Sequence, residues 1–344
     1  MLAGNISLDY ALLLLKSIGR KSFSALGRVV NLPGRVISKL LLPSRTYIGF
    51  MRQLAVMMFA DETKLFIMID ETLLNKMYSA IMCGTSRFYD TKLHTSYTAY
   101  KLIIATISNG DYTLPLECSF LFDPKLCNKP VATRKDFILH IMSVVKELFP
   151  GKRVIFLMDG AFATEEYLAH CVKHEIETQL RMPSNRVVEY RGKRVALRDI
   201  VALRPKGRQM ARTIRATWHG LELFFTADRR IDKHGEYSVV YQVATYRARP
   251  CEHVAHYRVR WGVEKKIRTG KLSCGLQDCY STDLQIQLKH VNASLFALAI
   301  AQIECQRAQL LNPEAAIRSI KHKNLDSLKR HFMRTYQLSS FICA

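Results

Sequence analysis

Residues 65–69 and 154–158 are apolar at every position, and each run directly follows a basic residue and is followed by an aspartate, Asp70 or Asp159. A strand with one wet face alternates apolar and polar positions, so an unbroken run predicts a strand covered on both faces. Two further strand-like segments at 77–89 and 97–107 follow the first run. An Asn109-Gly110 turn then leads into a third segment at 112–122, and antiparallel pairing is the natural arrangement for these pieces. Asp136 is placed to cap a helix running to about Phe149, where Pro150-Gly151 stops it. The second apolar run comes next, followed by a helix over 164–174. Strand, helix, strand order sets Asp159 at the carboxyl end of a strand parallel to a neighbour. If the first run is that neighbour, both aspartates lie at one sheet edge; the plainer account is that each aspartate merely starts a turn.

The flanks read differently. Residues 1–60 have helical periodicity, with a helix at 22–30, a turn at 31–34 and a second helix at 35–41. That outline fits a helix-turn-helix, whose second helix would offer Arg35, Ser38 and Lys39 to a DNA groove, and it equally fits a plain helical bundle. From 176 to 250 the pattern changes to short strands, with hairpin signals at Arg191-Gly192-Lys193 and His219-Gly220. Residues 283–311 return to helical spacing through Leu284, Leu288, Val291, Leu295 and Leu298, and a basic helical tail closes the chain. The expected division is a helical region at 1–60, core at 61–175, a β-rich insertion at 176–250, more core at 251–311 and the tail at 312–344. The fold class is α/β.

Charge narrows the partner. The 344 residues carry a net charge of +22 with a pI near 9.7, which suits a polyanion. The excess is +7 over residues 1–60 and +9 over 176–250. The nine cysteines form no Cys-x-x-Cys pair and read as reduced thiols of a cytoplasmic protein, associated with the nucleoid when on DNA. The apolar runs are too short for a membrane helix, and no export signal opens the chain.

The chemistry concentrates at 257–271. At about 100° per residue, Tyr257, Arg260, Trp261, Glu264, Arg268 and Lys271 fall on one stripe if a single helix spans them. One acid among cations and an aromatic suits a phosphate backbone with a metal at the acidic point; a basic surface helix with a stray glutamate is the plainer account. Gly262 and Thr269-Gly270 weaken this helix, which would set Lys271 just past its end. Trp261 either packs in the core or offers a face on which a displaced nucleotide stacks. His170 and His174 stand four apart on a helix without a zinc-protease pattern and read as structural. Glu71 and Asp90 are the acids that would replace Asp70 if the strand ended elsewhere.

The spacing Tyr257, Arg260, Glu264, Lys271 resembles the Y-R-E-K motif of bacterial transposases of the insertion-sequence-four family. That resemblance implies an RNase H-like core, a mixed sheet flanked by helices, with a β-rich insertion before the glutamate helix and a helical DNA-binding region in front. It implies Asp70, Asp159 and Glu264 as catalytic carboxylates holding two Mg2+ ions, with Mn2+ as a substitute. It also implies Tyr257, Arg260, Trp261, Arg268 and Lys271 as contacts to double-stranded DNA, at inverted repeats and at the target, within a homodimer. The expected activity is cut-and-paste transposition. Two rivals keep the same features: a non-catalytic DNA-binding protein derived from a transposase, and a simple RNase H-like nuclease.

Overall fold

The computed structural model describes residues 8–76, 82, 84–90, 94–122, 133–206, 209–231 and 235–336. Four helices come first: α1 (Asp9–Lys16), α2 (Phe23–Val30), α3 (Gly34–Lys39) and α4 (Ser44–Met58). Strands β1 (Lys64–Asn75), β2 (Ser86–Asp90), β3 (Thr95–Ser108) and β4 (Thr113–Leu121) follow. Then come α5 (Arg134–Leu148), β5 (Arg153–Met158), α6 (Glu165–Lys173) and β6 (Glu177–Met182). Five more strands are β7 (Val187–Tyr190), β8 (Lys193–Ala196), β9 (Ala211–Trp218), β10 (Leu221–Ile231) and β11 (Tyr237–Ala244). The remaining helices are α7 (Pro250–Val259), α8 (Trp261–Ser273), α9 (Leu284–Arg307), α10 (Pro313–Lys321) and α11 (Leu325–Tyr336).

All eleven strands join one mixed sheet in the order β2-β3-β1-β5-β6-β11-β10-β9-β7-β8, with β4 also on β3. The centre is RNase H-like: β1, β3 and β4 run antiparallel, while β5 and β6 continue parallel to β1. Helices lie on the sheet, and this explains the unbroken apolar runs. Phe66, Met68, Ile155 and Leu157 pack on one face with Val263 of α8, and Leu65, Ile67, Ile69, Phe156 and Met158 join the large core.

Several expectations need correction. The first strand does not end at Asp70: β1 continues to Asn75 because β3 keeps pairing with it along residues 66–75. What ends there is the parallel partner β5, whose last ladder pair is Ile69 with Met158. Of the strand expected at 77–89, only the part within β2 is seen, and 77–81 and 83 lie outside the described residues. Thr133, not Asp136, caps α5; Asp136 is its partner in a capping box. The helix expected through 257–271 is two, divided at Arg260, and α8 runs past Lys271 to Ser273.

Within 176–250, β6 pairs parallel with β5, and β7–β11 extend that same sheet. Both hairpin signals form two-residue turns, with Arg191 and His219 at positive φ, each followed by a glycine. The tail packs back on α1 through Lys329 with Asp9 and Lys16 with the Lys321 carbonyl.

Candidate active site

Asp70 and Asp159 each come one residue after the Ile69–Met158 pair, on neighbouring parallel strands. Strand alternation turns both toward the face of Phe66, Met68, Ile155 and Leu157, which α8 covers. Asp159 opens a 3-10 turn, Gly160–Phe162, while Asp70 stays in extended backbone and accepts the Glu71 amide at 2.8 Å.

The third carboxylate arrives from α8. Arg260, at the α7–α8 joint, reaches Asp70 at 3.5 Å with Nη1 and Glu264 at 2.5 Å with Nη2, so one guanidinium spans both acids. Arg260 is buried and stacks on the Tyr257 ring at 5.6 Å, and its Nε has no hydrogen-bond partner among the described residues. Gly262 permits this approach of α8 to the sheet, since a Cβ there would stand 2.8 Å from Thr113 Oγ1.

The expected DNA-contacting stripe divides. Tyr257 is buried, with its hydroxyl 3.4 Å from the Met158 carbonyl and its pKa pushed up to about 12 by burial. Lys271 turns inward to donate to the Leu73 carbonyl at 2.8 Å, and burial lowers its pKa. Trp261, 53% exposed, and Arg268 point to solvent. Glu264 stands between the two groups with its side chain 36% exposed.

Asp70 carries the electrostatic signature of the site. Burial raises its pKa to about 6; the Glu71 amide and Arg260 oppose this, while Glu264 and Asp159 add to it. That the last two act on Asp70 puts each of them within electrostatic reach of it. As hard oxygen donors repelling one another, they suit divalent ions such as Mg2+ in charge and chemistry. Among the described residues, no three His, Cys, Asp or Glu side chains converge as a metal-holding set in the present rotamers. Arg260 is the cation that Asp70 and Glu264 now share.

Other expected residues lie apart from this point. Arg35 and Lys39 are exposed on α3 and Ser38 is half-buried, its hydroxyl bonded to the Arg35 carbonyl at 3.0 Å. Gly27 lets α2 pass close to the Leu32 carbonyl, so the helical pair is tight. The His170 and His174 rings lie 4.4 Å apart, tilted by 42°, on and just after α6. Glu71 faces the opposite side of β1 from Asp70, bound to Lys101 and Arg134.

Two cations near the aspartates escaped the sequence reading. Arg181, exposed on β6, follows the Met158–Leu180 pair and so neighbours Asp159. Arg134, the first residue of α5, reaches both Glu71 and the Ala161 carbonyl. Neither sits in a recognisable local pattern, though Arg181 could have been found by aligning the second apolar run with the strand after α6.

Residues 132–300 match the family model of the transposase DDE domain, a span that includes Asp159 and Glu264 but not Asp70. No curated protein sequence matches the chain significantly. Among solved structures, the chain is similar to a piggyBac transposase synaptic complex with hairpin DNA, with a TM-score of 0.52 and 12% identity over 97% of this chain and 74% of that one. A pre-cleavage Mos1 transpososome gives 0.20, with 9% identity over 46% of this chain and 54% of that one. The NurA nuclease from Sulfolobus solfataricus gives 0.25, with 10% identity over 71% and 86%. The first of these likenesses shows the fold, and the other two are too slight to bear on it.

Proposed function

We propose that this chain is a DNA transposase that excises and inserts its element by cut-and-paste, with Asp70, Asp159 and Glu264 holding the divalent ions. One observation carries the reading: the two aspartates follow the last β1–β5 ladder pair on one face, and Glu264 is linked to Asp70 through Arg260. The DDE-domain match over 132–300 and the RNase H-like fold support it.

Two Mg2+ ions, or Mn2+ in their place, would supply charge neutralisation at the scissile phosphate and activation of the attacking oxygen. The chain's own part is to hold and orient. Trp261 and Arg268 meet DNA as they stand, beside Glu264, and Arg35, Ser38 and Lys39 form a second contact on α3. Arg260 and Lys271 reach a phosphate only by leaving their present partners. Tyr257 supports both Arg260 and the end of β5. Two copies pairing the inverted ends would complete the assembly at the nucleoid. That the Y-R-E-K spacing marks the insertion-sequence-four family belongs to the same proposal.

The test is linear DNA carrying the sequences that flank the gene, incubated with Mg2+ and either wild type or Glu264→Gln. Release of the element by wild type alone supports the reading. Gel shifts by both without cutting would instead indicate a DNA-binding protein, and cutting without joining to a target plasmid a nuclease.

A further inference from the structure

The last pair of the β1–β5 ladder is Ile69 with Met158, so Asp70 and Asp159 are not themselves a ladder pair. The connection is made on the other face. Arg134 grips Glu71, the neighbour of Asp70, with Nε at 2.5 Å and Nη2 at 3.0 Å. Its Nη1 donates at 3.0 Å to the carbonyl of Ala161, two residues after Asp159. The guanidinium lies 4.8 Å above the Phe162 ring, in the same turn, and Lys101 holds Glu71 from the β3 side at 2.7 Å. Glu71 is in turn coupled to Asp70, because its amide donates to the Asp70 carboxylate at 2.8 Å.

We infer that Arg134 is a positioning residue, a clamp that sets the separation of the Asp70 and Asp159 carboxylates and so the affinity of the site for its divalent ions. The inference rests on the proposed function. A planar fork is needed, since three bonds leave one guanidinium in two directions and a ring supports its plane. Lysine keeps the charge and cannot make this arrangement.

The experiment measures Mn2+ binding to DNA-free protein, by the loss of the free-ion electron paramagnetic resonance signal, alongside the Mg2+ dependence of cleavage. Wild type is compared with Arg134→Lys, Glu71→Gln and a neighbouring control, Lys135→Ala, whose exposed ammonium pairs only with exposed Glu166 among the ion pairs seen. Arg134→Lys and Glu71→Gln are expected to bind Mn2+ about 10-fold more weakly, the usual effect of removing a group that orients a ligand. Their cleavage should return to near the wild-type rate at saturating Mg2+, and Lys135→Ala should match wild type throughout. Loss of cleavage in proportion to folded fraction, with unchanged Mn2+ affinity, would make Arg134 merely structural and overturn the inference alone. A wild type that binds no Mn2+ overturns the proposed function along with it.

Discussion

Asp70 and Glu71 are adjacent acids on opposite faces of β1, and their surroundings differ in kind. Burial alone would raise both. At Glu71, hydrogen bonds and charge from Arg134 and Lys101 more than offset burial and leave its pKa below the ordinary value. At Asp70, burial wins: Arg260 stands off at 3.5 Å and is shared with Glu264, and the pKa rises to about 6. A carboxylate with two close cations holds a fold together. One left short of cations, beside two other acids, is poised for a cation that comes from outside.

The largest effects should fall on the unsatisfied side. Asp70→Asn, Asp159→Asn and Glu264→Gln are each expected to reduce metal-dependent DNA cleavage by at least about a thousandfold, on the order of 4 kcal/mol in the barrier, while gel-shift affinity stays within a fewfold. Full cleavage by any one of them would remove that residue from the site.

Stability should show the opposite ranking. Glu71→Gln leaves Arg134 and Lys101 without their carboxylate and is expected to cost about 1–3 kcal/mol in denaturant unfolding. Asp70→Asn should lie within about 1 kcal/mol of wild type or above it, because it relieves an ionised group held out of water. If Asp70→Asn were the more destabilising, the contrast between the faces would fail. Gly262→Ala tests the seating of α8: its Cβ meets Thr113 Oγ1, so a loss of about 1–3 kcal/mol is expected, partly recovered by adding Thr113→Ala.

The pH dependence follows from the sign at Asp70. Its folded pKa, about 6, lies above the ordinary carboxylate value. Metal-free stability should therefore decline as pH rises from about 4 to about 6, over which the unfolded chain ionises first. Metal binding should weaken in the reverse direction, as pH falls through 6; denaturant unfolding without metal reads the first effect and an Mn2+ titration across that range the second. The smallest effect is expected on the outer face of α8, where Arg268→Ala should lower the salt dependence of DNA binding by about one counterion.

Much of the centre was legible because it is governed by burial. Strands covered on both faces leave continuous apolar runs, which is why 65–69 and 154–158 announced the two aspartates and their shared edge. The extension of β1 to Asn75 was not legible, since it depends on pairing with β3 rather than on any local pattern. Likewise the α7–α8 joint at Arg260 has no proline to mark it, and spacing alone could not say which side of the stripe faces the sheet. Packing turned Tyr257, Arg260 and Lys271 inward and left Trp261 and Arg268 outside. Arg134 was invisible for a related reason: its partners lie 63 residues before it and 27 after, joined only by the fold.

The central claim is that Asp70, Asp159 and Glu264 share one divalent-ion site, and Fe2+ substitution tests it most directly. Fe2+ bound in the protein, with ascorbate and peroxide, generates radicals that cut the backbone near the ion. The account predicts cuts clustered beside residues 70, 159 and 264, suppressed by excess Mg2+ and lost in Asp159→Asn. Cleavage elsewhere in the chain, or at only one of the three, would contradict it.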